Sequence, residues 1–220
     1  MTARISEILT SLEEQSNRER SGEVRVVPEN EMLAITSDTG LFFKIILNAM
    51  QAKRILEIGT SVGYSTLWFA NALLQNGVTE TKGTNKPIMT IEQSESKVRR
   101  ATKNFNEAGV NDIIELLQGR AKDILYKLLE NLEGLDYDER KASLFDFVFL
   151  DADKENLTEY FELVLRMLRP GGIIATDNML YPDEYRPQML QYSNFIRSKP
   201  HLQSVTVPIG NGEEITIKLS

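Results

Sequence analysis

The chain has 220 residues, with 25 Lys and Arg against 32 Asp and Glu and a formal charge of −7. A hydrophobic share of 41% with 26% charged residues is that of a globular protein, which excludes a disordered chain or a collagen-like repeat. With no Cys and a single His, His201, disulfides, thiolate catalysis and Cys- or His-rich metal sites are excluded, so any metal must be held mostly by oxygen. The acidic balance weighs against a nucleic-acid footprint. No apolar run approaches the ~20 residues of a membrane span, and Met1 to Arg20 lacks a signal-peptide core. A cytoplasmic enzyme of one domain, residues 1–220, is expected.

Ile5, Ile8, Leu9 and Leu12 fall at helical spacing, so residues 2–20 read as an amphipathic helix that packs on the body or on a second subunit. Residues 21–36 are a polar connection containing Pro28. A second helix is predicted from Asp38 to Met50, with Ser37 as N-cap. A regular alternation follows. Strand-like runs cover 54–58, 88–92, 113–118, 146–151 and 173–177; helical runs cover 64–75, 94–108, 122–132, 157–168 and 187–199. Ser94 is placed as a helix cap. Residues 202–207 and 214–219 close the chain as a hairpin about Asn211-Gly212, a strong turn signal. Two polar stretches, 78–86 and 133–143, read as surface loops. Five strand–helix repeats predict an α/β, doubly wound, Rossmann-like fold with a mostly parallel sheet and an antiparallel C-terminal hairpin.

In such a sheet ligands bind beyond the C-terminal ends of the strands. After the first strand comes Glu57-Ile58-Gly59-Thr60-Ser61-Val62-Gly63-Tyr64-Ser65. Gly59 permits a tight turn and a close approach to a ligand, and Gly63 avoids crowding where the helix begins. The G-x-x-x-G spacing departs from the dinucleotide G-x-G-x-x-G, and the flanking acids suit a positively charged ligand better than a pyrophosphate. Glu92 closes the second strand, where a carboxylate can accept both hydroxyls of a ribose. Asp151 ends the fourth strand, and Asp177-Asn178 ends the fifth. Adjacent strands lie about 4.8 Å apart, so two carboxylates and an amide oxygen can converge on one hard cation, Mg²⁺, Mn²⁺ or Ca²⁺.

These residues together resemble the cation-dependent O-methyltransferases, a family that includes the caffeoyl-CoA and catechol enzymes. The resemblance runs over about residues 30–220. It implies S-adenosylmethionine as methyl donor, a seven-stranded sheet and a homodimer. By position it implies cofactor contacts from Glu57, Gly59, Thr60, Ser65, Glu92, Ala121 and Asp153, and from Ile35 where the family often has Thr; Gly63 belongs to the same turn. It assigns Asp151, Asp177 and Asn178 to the divalent cation. It makes Lys154, three residues after Asp151, the base that takes the acceptor's proton. Pro182 stands where the plant caffeoyl-CoA enzymes carry an Asn, which weighs against that acceptor. Segments 18–27 and 179–186 are expected to cover the acceptor, with Tyr181 and Tyr185 flanking an aromatic ring.

The leading expectation is metal-dependent O-methylation of a small catechol-like or hydroxylated aromatic. Methylation of a hydroxyuridine in tRNA keeps the chemistry and changes the acceptor. A non-catalytic nucleotide-binding module is the alternative of another class. The basic stretch Lys97, Arg99, Arg100 and Lys103 reads as a solvated helix face.

Overall fold

The computed structural model describes residues 3–27, 30–79 and 86–220. The strands are β1 (Ile55–Ile58), β2 (Ile88–Glu92), β3 (Ile114–Gln118), β4 (Phe145–Leu150), β5 (Leu168–Thr176), β6 (Leu202–Val207) and β7 (Glu213–Lys218). They form a seven-stranded sheet in the order β3-β2-β1-β4-β5-β7-β6. The β1–β4, β2–β3 and β4–β5 pairs are parallel, and β7 runs antiparallel to both β5 and β6. The predicted mostly parallel sheet with its reversed C-terminal hairpin is therefore the observed one. The chain divides into two compact units, residues 1–53 with 60–119 and residues 54–59 with 120–220.

The first unit carries α1 (Ala3–Arg20), α2 (Ser37–Ala49), α3 (Tyr64–Gln75) and α4 (Glu95–Ala108). Ile5, Leu9 and Leu12 are buried at helical spacing on α1, which packs on α3 and α4. Its last turn then clamps the following segment: Glu19 accepts from the Met32 amide, and Arg20 donates to the Ala34 carbonyl. Helix α3 is buried from Tyr64 to Leu73, which suits its run of apolar and small residues. Helix α2 begins one residue earlier than predicted. Its cap is Thr36, whose Oγ1 accepts from the Thr39 amide at 3.3 Å, in place of Ser37. Ser94 stands at the N-cap of α4 but its side chain makes no capping bond. The predicted loop 78–86 lies partly outside the described residues, at 80–85.

The second unit carries α5 (Ala121–Glu133), α6 (Tyr137–Ser143), α7 (Leu157–Met167) and α8 (Arg186–Arg197). Helix α6 corrects the predicted loop at 133–143. Asp136 caps it by accepting from the Glu139 amide at 2.9 Å, and the Asp-x-x-Glu spacing of a capping box was present in the sequence. Strand β5 starts at Leu168, five residues earlier than predicted. The pairing of β4 with β5 shifts register between Phe145 and Phe147, opposite the Pro170-Gly171-Gly172 stretch. Proline cannot donate to the ladder and Gly171 has φ 72°, so this part is irregular and was read as a break.

Candidate active site

Strand β1 is wholly buried, including Glu57, which has no exposed surface. Beyond it Gly59 has φ 109°, and a Cβ there would lie 1.9 Å from the Asp151 carbonyl oxygen. The sequence reading gave Gly59 a tight turn and a close approach to a ligand. The turn requires the glycine for the backbone at the end of β4, where the Asp151 amide also donates to the Ile58 carbonyl at 2.9 Å. Gly63 has φ 87° and a Cβ would fall 2.4 Å from the Phe105 ring, so the predicted crowding is real.

Thr60 is buried, and its Oγ1 lies 2.6 Å from Thr90 Oγ1. Ser65, in the first turn of α3, and Ile35, just before α2, are buried as well. The Ser61 amide donates to Glu92 Oε2 at 2.9 Å, and the Ser94 amide donates to Glu92 Oε1 at 2.8 Å. The Glu92 carboxylate is thus held by one amide on each oxygen. A carboxylate has about four acceptor sites, so each oxygen keeps one for a further donor.

In the second unit Ala121 is the first residue of α5. Asp153 is exposed and occupied by its own turn: its Oδ1 accepts from the amide and side chain of Asn156, and its Oδ2 from the Tyr160 hydroxyl at 2.8 Å. These bonds join the β4 end to the start of α7.

Asp151, Lys154, Asp177 and Asn178 gather at the ends of β4 and β5. Lys154 Nζ lies 3.8 Å from Asp151 Oδ1 and donates to the Asp177 carbonyl at 3.4 Å, so one ammonium spans both strand ends. The Asp177 amide continues the sheet by donating to the Leu150 carbonyl. Its carboxylate is 3% exposed at the residue level, and Oδ1 accepts from the Asn178 amide at 2.6 Å. Asn178 has φ 67°, a left-handed conformation that Asn tolerates better than other side chains. The turn 208–212 clasps the next residues, since the amides of Met179 and Leu180 donate to Gly212 and Asn211.

Sequence reasoning missed Glu213. It is fully buried on β7, and among the described residues no N–H or O–H donor reaches either carboxyl oxygen. The Asp177 carboxyl faces it within hydrogen-bonding reach. Burial first, then the Asp177 and Asp151 carboxyls, hold the Glu213 carboxyl well above the ordinary carboxylate range; Lys154 opposes them. The signal lay in the antiparallel register. Thr176 pairs with Glu214, so one further step sets Glu213 opposite Asp177. The donor set is all oxygen, mostly buried and richer in carboxylates than in cations, which fits a hard divalent ion. Among the described residues no three His, Asp or Glu side chains converge as a metal cluster; the predicted set has two carboxylates and one amide.

A model of the O-methyltransferase family matches residues 6–219. The chain belongs to the O-methyltransferase family. It is 38% identical over 148 residues to a catechol O-methyltransferase of Niastella koreensis, covering 67% of this chain and 59% of that protein. The chain thus spans less than two thirds of that relative's length. A flavonoid 3′,5′-methyltransferase of Vitis vinifera is 29% identical over 203 residues, 86% of this chain and 80% of its own. Among solved structures, the O-methyltransferase TomG of Streptomyces achromogenes in complex with S-adenosylmethionine superposes with a TM-score of 0.74 at 27% identity, over 97% of this chain and 90% of that one. A Bacillus cereus O-methyltransferase in complex with SAH gives 0.72 at 26% identity, over 96% and 90%.

The predicted acceptor segment of this family member, 179–186, has Met179 buried and Tyr181 and Tyr185 exposed. An open cavity of about 270 Å³ adjoins it, lined by Met179, Leu180, Arg186, Met189, Leu190 and Arg197; neither tyrosine lines it. Trp68 is core, as predicted, whereas His201 is half-buried in place of exposed. In the basic stretch on α4, Arg99 and Lys103 pair with Glu95 and Glu107, as a solvated face does. Among the described residues no helix is long and apolar enough to cross a membrane.

Proposed function

We propose that the protein moves a methyl group from S-adenosylmethionine to a hydroxyl oxygen of a small catechol-like or hydroxylated aromatic acceptor, with a divalent cation held by Asp151, Asp177 and Asn178. The observation that carries the reading is the meeting of Asp151, Lys154 and the buried Asp177 at two neighbouring strand ends. A bound divalent cation, Mg²⁺ in the first place, supplies charge that stabilises an acceptor oxyanion and orients it. Donor binding falls to Glu57, Gly59, Thr60, Gly63, Ser65, Glu92, Ala121, Asp153 and Ile35. Glu92, fixed by two backbone amides, offers its remaining acceptor sites to the ribose diol. A sulfonium donor accompanies well a chain with acids on both sides of the glycine turn.

Lys154 receives the acceptor's proton at Nζ. A phenol has a pKa near 10 and is mostly neutral at pH 7, so a proton acceptor at this point matters. Lys154 takes that proton as the free amine, and the ammonium formed by the transfer is held by Asp151 on one side and the Asp177 carbonyl on the other. Little else is asked of side chains, in keeping with a chain lacking Cys and nearly lacking His. A homodimer is part of the proposal: Leu41 and Ile45, four residues apart on α2, and Leu33 are exposed apolar side chains.

The test is donor consumption over catechols, caffeoyl-CoA and hydroxyuridine tRNA, with Mg²⁺ or with EDTA. Turnover of a catechol that EDTA abolishes is expected. Asp177→Ala should lose that turnover while keeping donor affinity within about threefold, measured by calorimetry. Undiminished turnover in EDTA would refute the cation's role, and tRNA as sole acceptor would move the substrate class.

A further inference from the structure

We propose that Asn30 and Ser96 are positioning residues for the donor's ribose: through Ser94 they hold the Glu92 carboxylate where the two ribose hydroxyls are received. The inference rests on the donor role proposed for Glu92 and extends it to a residue ahead of α2 and to the first turn of α4.

Glu92 ends β2, and its Oε1 is held by the Ser94 amide at 2.8 Å. Ser94 stands at the N-cap of α4, where a serine hydroxyl ordinarily accepts from an amide of the first turn, yet it makes no such bond. Its Oγ lies 3.0 Å from Ser96 Oγ instead. Ser96 Oγ in turn donates to Asn30 Oδ1 at 2.7 Å. A hydroxyl has one hydrogen, and an amide oxygen only accepts. Ser96 gives its hydrogen to Asn30, so the hydrogen between the two serines is that of Ser94. The bonds therefore run in one direction, from Ser94 to Ser96 to Asn30. A cap bond would have served the helix; the bond to Ser96 serves the turn between β2 and α4, whose amide holds Glu92.

Asn30 is itself anchored. Arg100 donates to its carbonyl at 2.7 Å, and its own amide donates to the Val27 carbonyl at 2.9 Å. Arg100 thus leaves the solvated face to which the sequence assigned it with Lys97, Arg99 and Lys103, and it is half-buried. Two residues after Asn30, the Glu19 carboxylate of α1 accepts from the Met32 amide at 2.9 Å. The segment ahead of α2 is therefore tied to α1 on one side and to α4 on the other. The glycine turn supplies the second hold on Glu92, through the Ser61 amide at 2.9 Å. One carboxylate can receive both hydroxyls of a ribose only if its two oxygens stay in place, to within about 0.5 Å.

The test is calorimetric binding of S-adenosylhomocysteine and of its 2′,3′-dideoxy analogue, which lacks the diol, to the purified full chain. The quantity read is the ratio of the two dissociation constants. Wild type should favour the natural ligand by about 10-fold or more, as hydrogen bonds to a charged acceptor do. Ser96→Ala and Asn30→Ala should each lower that ratio about three- to tenfold, the worth of one hydrogen bond, and bind the dideoxy analogue as wild type does. Arg99→Ala, on the same helix but paired with Glu95 at the surface, should leave the ratio unchanged. A ratio lowered less than threefold in Ser96→Ala or Asn30→Ala overturns the inference alone, whatever the variant does to the melting temperature. Equal weakening of both ligands is such a result, because a merely structural loss spares the ratio. A wild-type ratio near one overturns the donor role of Glu92, and this inference with it.

Discussion

Replacing Gly59 by Ala tests the joint between the glycine turn and the β4 end. The new Cβ would lie 1.9 Å from the Asp151 carbonyl oxygen, whereas ordinary contact begins near 3.4 Å, so about 1.5 Å must be recovered from backbone. That backbone is tied in place by the Asp151 amide bond to Ile58. Overpacking of this kind costs about 1–3 kcal/mol, and a side chain at φ 109° adds roughly 1–2 kcal/mol. The total is about 2–5 kcal/mol. Gly77 provides the control: it has φ 81° and nothing within 4 Å of a built Cβ, so Gly77→Ala meets the conformational cost alone. Urea unfolding with a common m value should therefore find Gly59→Ala less stable than Gly77→Ala by about 1–3 kcal/mol. Gly59→Ala should also lose Mn²⁺ affinity, because Asp151 moves, and Gly77→Ala should not. Equal destabilisation by the two variants would refute the claim that the Asp151 backbone dictates glycine at 59.

Glu92→Gln should weaken S-adenosylmethionine binding at least 10-fold, since a hydrogen bond to a charged acceptor is worth about 1.5–3 kcal/mol; unchanged calorimetric affinity would remove Glu92 from the ribose. Lys154→Met should lower catechol turnover more at pH 7 than at pH 10, where the acceptor ionises unaided, and a constant ratio across pH would refute a base at 154. Tyr192 is buried against Phe161, with its hydroxyl 2.9 Å from Thr176 Oγ1, and burial raises its pKa above the ordinary 10. A raised folded-state pKa contributes stability that is complete below pH 10 and lost as pH climbs above it toward the folded value. Tyr192→Phe should therefore flatten the alkaline stability slope by about 1.4 kcal/mol per pH unit; equal slopes in urea melts above pH 10 would refute this.

The parts of the fold legible in the sequence were those written by one physical rule at a time. Strand and helix alternation followed from apolar period, and the closing hairpin from Asn211-Gly212. Errors came where two rules compete. Thr36, Ser37 and Asp38 all qualify as caps, and only backbone geometry chose Thr36. Charge density made 133–143 look solvated, and α6 indeed has no buried residue; its capping pair, Asp136 and Glu139, was the better guide. Proline and two glycines hid the first half of β5 because irregular pairing mimics a loop.

The candidate site divides along the same line. Asp151 and Asp177-Asn178 are visible because parallel strands announce their C-terminal ends in sequence order. Glu213 arrives from an antiparallel strand that enters the sheet between β5 and β6, and no local pattern states that neighbour relation. Two successive glutamates at a strand start read as ordinary solvated residues. They become informative only when the register sends one to Arg197 and the other to Asp177. A buried acid is thus evidence about function in proportion to what fails to satisfy it: Glu214 accepts from Arg197, Ser204 and Thr206 and explains itself, while Glu213 has the Asp177 carboxyl beside it and directs attention to the strand ends.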